Sequence, residues 1–224
     1  MYVPSHFAAS DDQVDALLRS VTAADLVTPT GSGLIATFLP LMYDAPAGAL
    51  LGHVARNNSH WQAAGDDGES LVIVHGPDDY ISPSWYPSKH EHGRAVPTWN
   101  YTTAHVYGRL VAHDDVDWLR AFVTRLTERH ENDRATPWQV TDAPERFIAG
   151  QLRAIVGLEL QITRVEAKVK LSQNRSAADQ AGVVTGLRET ATPAAVELAA
   201  EMTATTRPAV DDQGTRPAIA GQVP

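Results

Sequence analysis

The chain has 224 residues, no cysteine, and 27 acidic against 18 basic residues, a formal net charge of −9. Those numbers exclude a disulfide framework, thiolate metal sites and thiol catalysis, and they oppose indiscriminate binding to phosphate backbones, because each phosphate contact needs a cation. No apolar run approaches the roughly 18 residues that span a bilayer, and residues 1–10 lack the basic segment and apolar run of a signal peptide. A cytoplasmic protein with no membrane association is expected.

In chain order, Ser10-Asp11-Asp12-Gln13 is a capping box that opens a helix to about Arg19. Residues 24–28 form a short strand, residues 34–43 a buried strand, Ala45 to Gly48 a hairpin turn, and residues 49–55 the returning strand. Asn57-Asn58-Ser59 caps a short helix through Ala64. Residues 71–74 form a strand, and Tyr80-Ile81 reads as the start of another. Residues 82–97 hold three prolines and the run Lys89-His90-Glu91-His92, which predicts a long polar loop of the functional kind. A long strand covers residues 99–112. Asp114-Asp115 caps an amphipathic helix with Val116, Leu119, Phe122, Val123 and Leu126 on one stripe. A second helix follows Pro144, with Phe147, Ile148, Leu152, Ile155 and Val156 inward. Residues 158–171 form the last strand and residues 176–188 a helix. Beyond Thr190 the composition turns to Ala, Thr, Pro and Gly. This tail, 191–224, is set apart from a domain over 1–190. It reads as a weak helix over 192–203 and disorder from 205 on. The fold class is mainly β with peripheral helices, a small barrel.

Three features bear on chemistry. A strand ends near Arg56 and a helix opens at Asn57 to Ser59, which suits an anion at the helix start or an ordinary cap. Tyr80, Trp85, Tyr86, Trp99, Tyr101 and Tyr107 crowd the middle of the chain beside Asn100. They suit a planar ring such as a flavin or haem, or else a dimer interface or core. Lys168 and Lys170 share a strand, by composition or for an anion. His90 and His92 lack a third ligand, so no metal is assigned. Neither a nucleophile elbow nor a phosphate-binding glycine loop is present.

Several longer motifs run along the chain. They begin with Met1 to Phe7 and continue through Ala36 to Leu41 and Gly52-His53-Val54-Ala55-Arg56-Asn57. Next come Tyr80-Ile81-Ser82-Pro83-Ser84-Trp85-Tyr86-Pro87-Ser88-Lys89, then Val96 to Tyr101, and Lys170 to Arg175. Together they resemble the PaiB family of FMN-binding negative transcriptional regulators. Phe38 and Val169 depart from the family's usual histidine and tryptophan. The resemblance covers about residues 1–188. It implies a flavin-reductase-like split β-barrel with FMN at the interface of a homodimer. It places the phosphate at Arg56, Asn57, Asn58 and Ser59, and the ring along Thr37 to Leu41. Thr37, Leu39 and His53 join the candidate contacts, and the partner subunit supplies Trp99, Asn100, Lys170 and Gln173. No acid–base residue is assigned.

The function expected from the resemblance is an FMN-binding regulator. Direct DNA binding conflicts with the charge, so the regulation is expected to be indirect. The alternatives are a flavin-dependent oxidoreductase of a small substrate and a haem- or deazaflavin-binding barrel.

Overall fold

The computed structural model describes residues 1–64 and 68–206. Six strands form one closed barrel in the order β1-β2-β3-β6-β5-β4. They are β1 (Ala23–Thr30), β2 (Gly33–Asp44), β3 (Ala49–Ala55), β4 (Ser70–Ile81), β5 (Thr98–His113) and β6 (Ile155–Lys170). The described helices are α1 (Asp11–Ser20), α2 (Pro87–His92), α3 (Val116–Glu131), α4 (Glu145–Arg153), α5 (Ala177–Thr190) and α6 (Pro193–Thr206). The expected class, mainly β with peripheral helices, is the observed one.

The chain divides into two compact units. The first holds the described residues of 1–76 and 103–169; the second holds those of 77–102 and of the chain from Lys170 on. In the first unit, strand alternation sends one set of side chains inward. Leu26, Leu39, Leu41, Leu50, Val54, Val72, Ala104, Val106, Leu158 and Leu160 fill the barrel, and Leu17 and Leu18 of α1 pack against them. The Ser10 capping box that opens α1 is present. The outer face of β3 carries Ala49 and Leu51, which α3 covers with Phe122 and Trp118. Trp118 is sandwiched between His113, stacked at 4.1 Å, and Phe122 at 5.4 Å.

The outer face of β1 and β2 is different. The register pairs Pro29 with Leu34, Val27 with Ala36, Asp25 with Phe38 and Ala23 with Pro40. Leu71 and Ile73 of β4 extend the same rows. Leu34 is 76% exposed and Phe38 is 70% exposed. The expected buried strand over 34–43 is therefore buried on one face only as far as Pro40, with an apolar stripe on the other; beyond it Met42 packs against Phe122 of α3.

Four local expectations change. Residues 71–74 and 80–81 belong to one strand, which runs through Pro77. The 82–97 segment is partly helical, with a 3-10 turn at Pro83–Trp85 and then α2, which Gly93 ends at φ 70°. Phe147 is 57% exposed, while Ile155 and Val156 begin β6 instead of extending α4. Thr205 and Thr206 lie in α6; the remaining residues expected to be disordered, 207–224, lie outside the described ones.

The second unit is built on α5 and α6. Leu187 of α5 and Leu198 and Met202 of α6 are fully buried. Trp85 lies against α5, where a Cβ on Gly186 would fall 2.3 Å from its ring. Asp179 ties α2 to α5 by accepting from the Ser88 N–H at 3.1 Å and the Ser88 hydroxyl at 2.8 Å. Burial pushes the Asp179 carboxyl up, but the Ser88 and Ser176 hydrogen bonds outweigh it and hold the group below the usual carboxylate range. A depressed carboxylate stabilises the fold above its unfolded pKa, and that contribution is lost as pH falls through the folded value. Asp179→Asn is thus expected to lower stability at neutral pH and to flatten the acid limb of a denaturation-versus-pH curve. An unchanged acid limb would contradict this assignment.

Candidate functional site

The candidate residues fall into two sets, one in each unit. Thr37, Leu39, His53, Arg56, Asn57, Asn58 and Ser59 lie in the first unit; Trp99, Asn100, Lys170 and Gln173 lie in the second.

In the first unit, β3 ends at Ala55 and the chain turns through Asn57 into one 3-10 turn, Ser59–Ala63. The Asn58 side chain caps this turn by accepting from the His60 N–H at 2.9 Å. Trp61 Nε1 donates to the Arg56 carbonyl at 3.0 Å and pins the turn. The turn is too short for a helix dipole to develop, and the Asn58 and His60 N–H groups already have protein acceptors. The short helix expected from Asn57 through Ala64 is therefore a 3-10 turn over Ser59–Ala63.

Arg56 is occupied as well. Its Nε donates to the Arg153 carbonyl at 2.8 Å and a terminal nitrogen to the Ile155 carbonyl at 3.0 Å. Both terminal nitrogens grip Asp114, one at 2.9 Å. The hydrogen bonds from Arg56 hold the Asp114 carboxyl below its usual range. The guanidinium thus works as a staple at the end of β3. Asn57 and Ser59 are exposed, with side chains available to a ligand.

Thr37 and Leu39 share the inward face of β2. Leu39 is a core side chain, which leaves only its backbone for a ligand. Thr37 Oγ1 accepts from Asn58 Nδ2 at 3.3 Å and lies 2.8 Å from His60 Nδ1. His53 points the other way, toward α3, where its ring meets Phe122 edge-on at 5.8 Å. Its Nδ1 is buried without a hydrogen-bond partner among the described residues, and burial lowers its pKa. His53 and Thr37 therefore occupy opposite faces of the sheet and do not converge through their side chains.

His60 is the residue that sequence reading left unassigned. It is fully buried. Its Nε2 lies 2.8 Å from Thr28 Oγ1, and Thr28 Oγ1 lies 2.7 Å from Ser70 Oγ. Burial lowers its pKa, so the imidazole is neutral at neutral pH. The local sequence shows a histidine two places after a cap; only the closure of β1, β2 and β4 around it reveals the partners.

In the second unit, Tyr80 and Trp99 form an edge-on aromatic pair with centroids 6.3 Å apart, and both rings are exposed. Lys170 Nζ donates to Thr98 Oγ1 at 2.7 Å and to the Trp99 carbonyl, and it lies over the Tyr101 ring. Asn100 is wholly buried. Its Nδ2 donates to Ser172 Oγ at 3.0 Å and to Met202 Sδ at 3.5 Å, while its Oδ1 accepts from the Ser172 hydroxyl at 3.1 Å. Its amide locks Ser172 and α6 together. Gln173 Oε1 accepts from the Leu171 N–H at 2.7 Å. Trp99 and Lys170 are the second unit's remaining candidates for a planar, anionic group. Among the described residues no cluster of three or more metal-ligating side chains occurs, and no helix is long and apolar enough to cross a membrane.

Comparison with known proteins places this arrangement. Residues 1–164 match the family described as "Putative FMN-binding domain". Protease synthase and sporulation protein PAI 2 of Bacillus subtilis (strain 168) is 30% identical over 202 residues, which cover 89% of this chain and 95% of that protein. Among solved structures, the FAD and heme binding protein from Mycobacterium smegmatis superposes with a TM-score of 0.57 at 16% identity, covering 79% of each chain. The flavocytochrome Anf3 from Azotobacter vinelandii gives 0.56 at 13% identity, over 80% of this chain and 78% of that one. At those identities the two structures establish the fold, a split β-barrel. The matched residues and the barrel together make this chain a member of the PaiB family of FMN-binding-domain proteins.

Proposed function

We propose that this protein binds FMN as a homodimer and acts in negative regulation of transcription without itself gripping DNA. One observation carries the reading. A chain whose first 164 residues match an FMN-binding-domain family leaves an apolar stripe on β1 and β2 and an aromatic pair, Tyr80 and Trp99, exposed. Exposed apolar and aromatic surface of this kind marks a binding or docking face. Thr37, Asn57 and Ser59 of one protomer, with Trp99 of the partner subunit and Lys170 of the partner subunit, are the side chains that would hold the flavin. When bound, FMN supplies electron-transfer or light-absorbing chemistry; the protein's part is to hold and orient it.

The charges favour indirect regulation. The arginines of α3 are spent inside the protein: Arg120 on Glu145, Arg125 on Asp44, and Arg129 on the carbonyls of Arg19 and Val21. α5 carries Arg188 near its end, and α6 has no basic residue in its last turn. No described helix offers the row of free cations that phosphate contacts require.

Light scattering of the purified chain is expected to give a dimer. Phe38→Glu, at an exposed position that costs the monomer little, is expected to weaken self-association by at least about tenfold. A monomeric wild-type protein, or a variant that dimerises unchanged, would refute the assignment of this face. A gel shift with promoter DNA at low salt is expected to show no complex.

A further inference from the structure

The buried polar chain Ser70–Thr28–His60–Thr37 has a direction. Ser70 and Thr28 are almost fully buried, and their two hydroxyl oxygens lie 2.7 Å apart. Among the described residues Ser70 Oγ has no other partner, so its single proton is satisfied only by donation to Thr28 Oγ1. The Thr28 proton must then go to its other neighbour, His60 Nε2, at 2.8 Å. A neutral imidazole that accepts at Nε2 carries its proton on Nδ1. That proton is given to Thr37 Oγ1, at 2.8 Å. Thr37 Oγ1 already accepts from Asn58 Nδ2, an amide nitrogen that can only donate. Both lone pairs of Thr37 are thereby used, and its own proton has no protein acceptor among the described residues.

We infer that His60 is locked as the Nδ1–H tautomer and thereby reserves the Thr37 hydroxyl proton for an acceptor oxygen of the bound ligand. His60 is a positioning residue; Thr37 is the group that touches. The inference rests on the flavin reading for the identity of the ligand, whose acceptor oxygens are those of the phosphate or of the ring carbonyls. The reverse arrangement, with Nε2–H donating to Thr28 Oγ1, leaves either the Thr28 or the Ser70 hydroxyl as a buried donor with nothing to receive it among the described residues. The geometry therefore selects one tautomer before any ligand arrives.

Two measurements test this separately. Nitrogen-15 NMR of the imidazoles in the ligand-free full chain is expected to show, for His60, a protonated Nδ1 and an unprotonated Nε2. A protonated Nε2, alone or together with Nδ1, overturns the inference. Because His60→Ala empties a buried site and risks unfolding, the ligand half is tested at Thr37. Thr37→Val, with wild-type circular dichroism as the folding control, is expected to weaken FMN binding by about 10- to 100-fold, and Thr37→Ser to restore it to within about threefold. Riboflavin serves as the second arm. An equal loss with riboflavin assigns the acceptor to the ring, and a loss confined to FMN assigns it to the phosphate; either result supports the inference. A Thr37→Val protein that binds FMN like wild type overturns it. A wild-type protein that takes up neither flavin overturns the flavin reading and the ligand named here, while the tautomer spectrum stands or falls on its own.

Discussion

Replacing Gly108 with alanine is expected to destabilise the protein by about 3 kcal/mol, as much as a badly overpacked core site. Gly108 lies within β5 where that strand passes β6. A Cβ built there would lie 2.3 Å from the Gln161 carbonyl oxygen and 2.9 Å from its carbonyl carbon. The obstruction is backbone, so no rotamer change relieves it. Either β5 moves away from β6 or the barrel loses pairing at that point, and the barrel core packs on both strands through Val106, Leu110, Leu158 and Leu160. This is the close backbone approach that a glycine inside a strand commonly marks. Urea denaturation should show a lower midpoint with an unchanged slope. Gly150→Ala on α4 is the internal control. Its nearest neighbour would be a flexible Arg153 nitrogen at 3.9 Å, and the variant should gain up to about 1 kcal/mol from helix propensity. Equal effects at the two sites would contradict the close approach of β5 and β6.

Asn100→Leu is expected to cost about 3 kcal/mol although it keeps a similar volume. The substitution removes both hydrogen bonds to Ser172 and the contact with Met202, leaving a buried hydroxyl with no other side-chain partner among the described residues. Leaving such a group unpaired costs more than the net gain from the bond that was made. Ser172 also sits at φ 63°, a left-handed conformation that a non-glycine residue holds only when its surroundings insist on it. The double variant Asn100→Leu with Ser172→Ala should therefore be less damaging than the sum of the singles, a coupling read from a double-mutant cycle. Additive effects would show that the two side chains do not act as a pair. The same experiment separates a structural Asn100 from a flavin contact, since a structural lock changes the denaturation midpoint in the ligand-free protein.

These two residues show which parts of the molecule the sequence made legible. Local chemistry was readable: Ser10 and Asp115 cap α1 and α3 as their side chains predict, and Gly48 closes the β2–β3 hairpin at φ 60°. Long motifs are readable too, and they point to the split barrel. Where local signals conflicted with the sheet, the sheet prevailed. Residues 71–74 and 80–81 read as two strands, yet β4 runs straight through the Gly76-Pro77-Asp78-Asp79 between them. Pro87 reads as loop punctuation among three prolines, yet it begins α2, where its missing N–H costs nothing.

The site was harder to read than the fold because side-chain direction depends on partners far away in sequence. Arg56 reads as a phosphate ligand, and nothing near it in the sequence shows that it also pairs with Asp114, 58 residues on. Asn100 sat among aromatics and looked available, but Ser172, 72 residues on, closes over it. His60 showed no motif at all. Its role follows from Thr28, Thr37 and Ser70, which three different strands bring to one buried ring.

The most direct measurement is a titration of the full purified chain with FMN, followed by flavin fluorescence and by light scattering on the same samples. Saturable binding of one FMN per chain to a dimer is the expected result. A chain that leaves added FMN unbound, or that binds it as a monomer, would contradict the assignment of this split barrel as a dimeric flavin site.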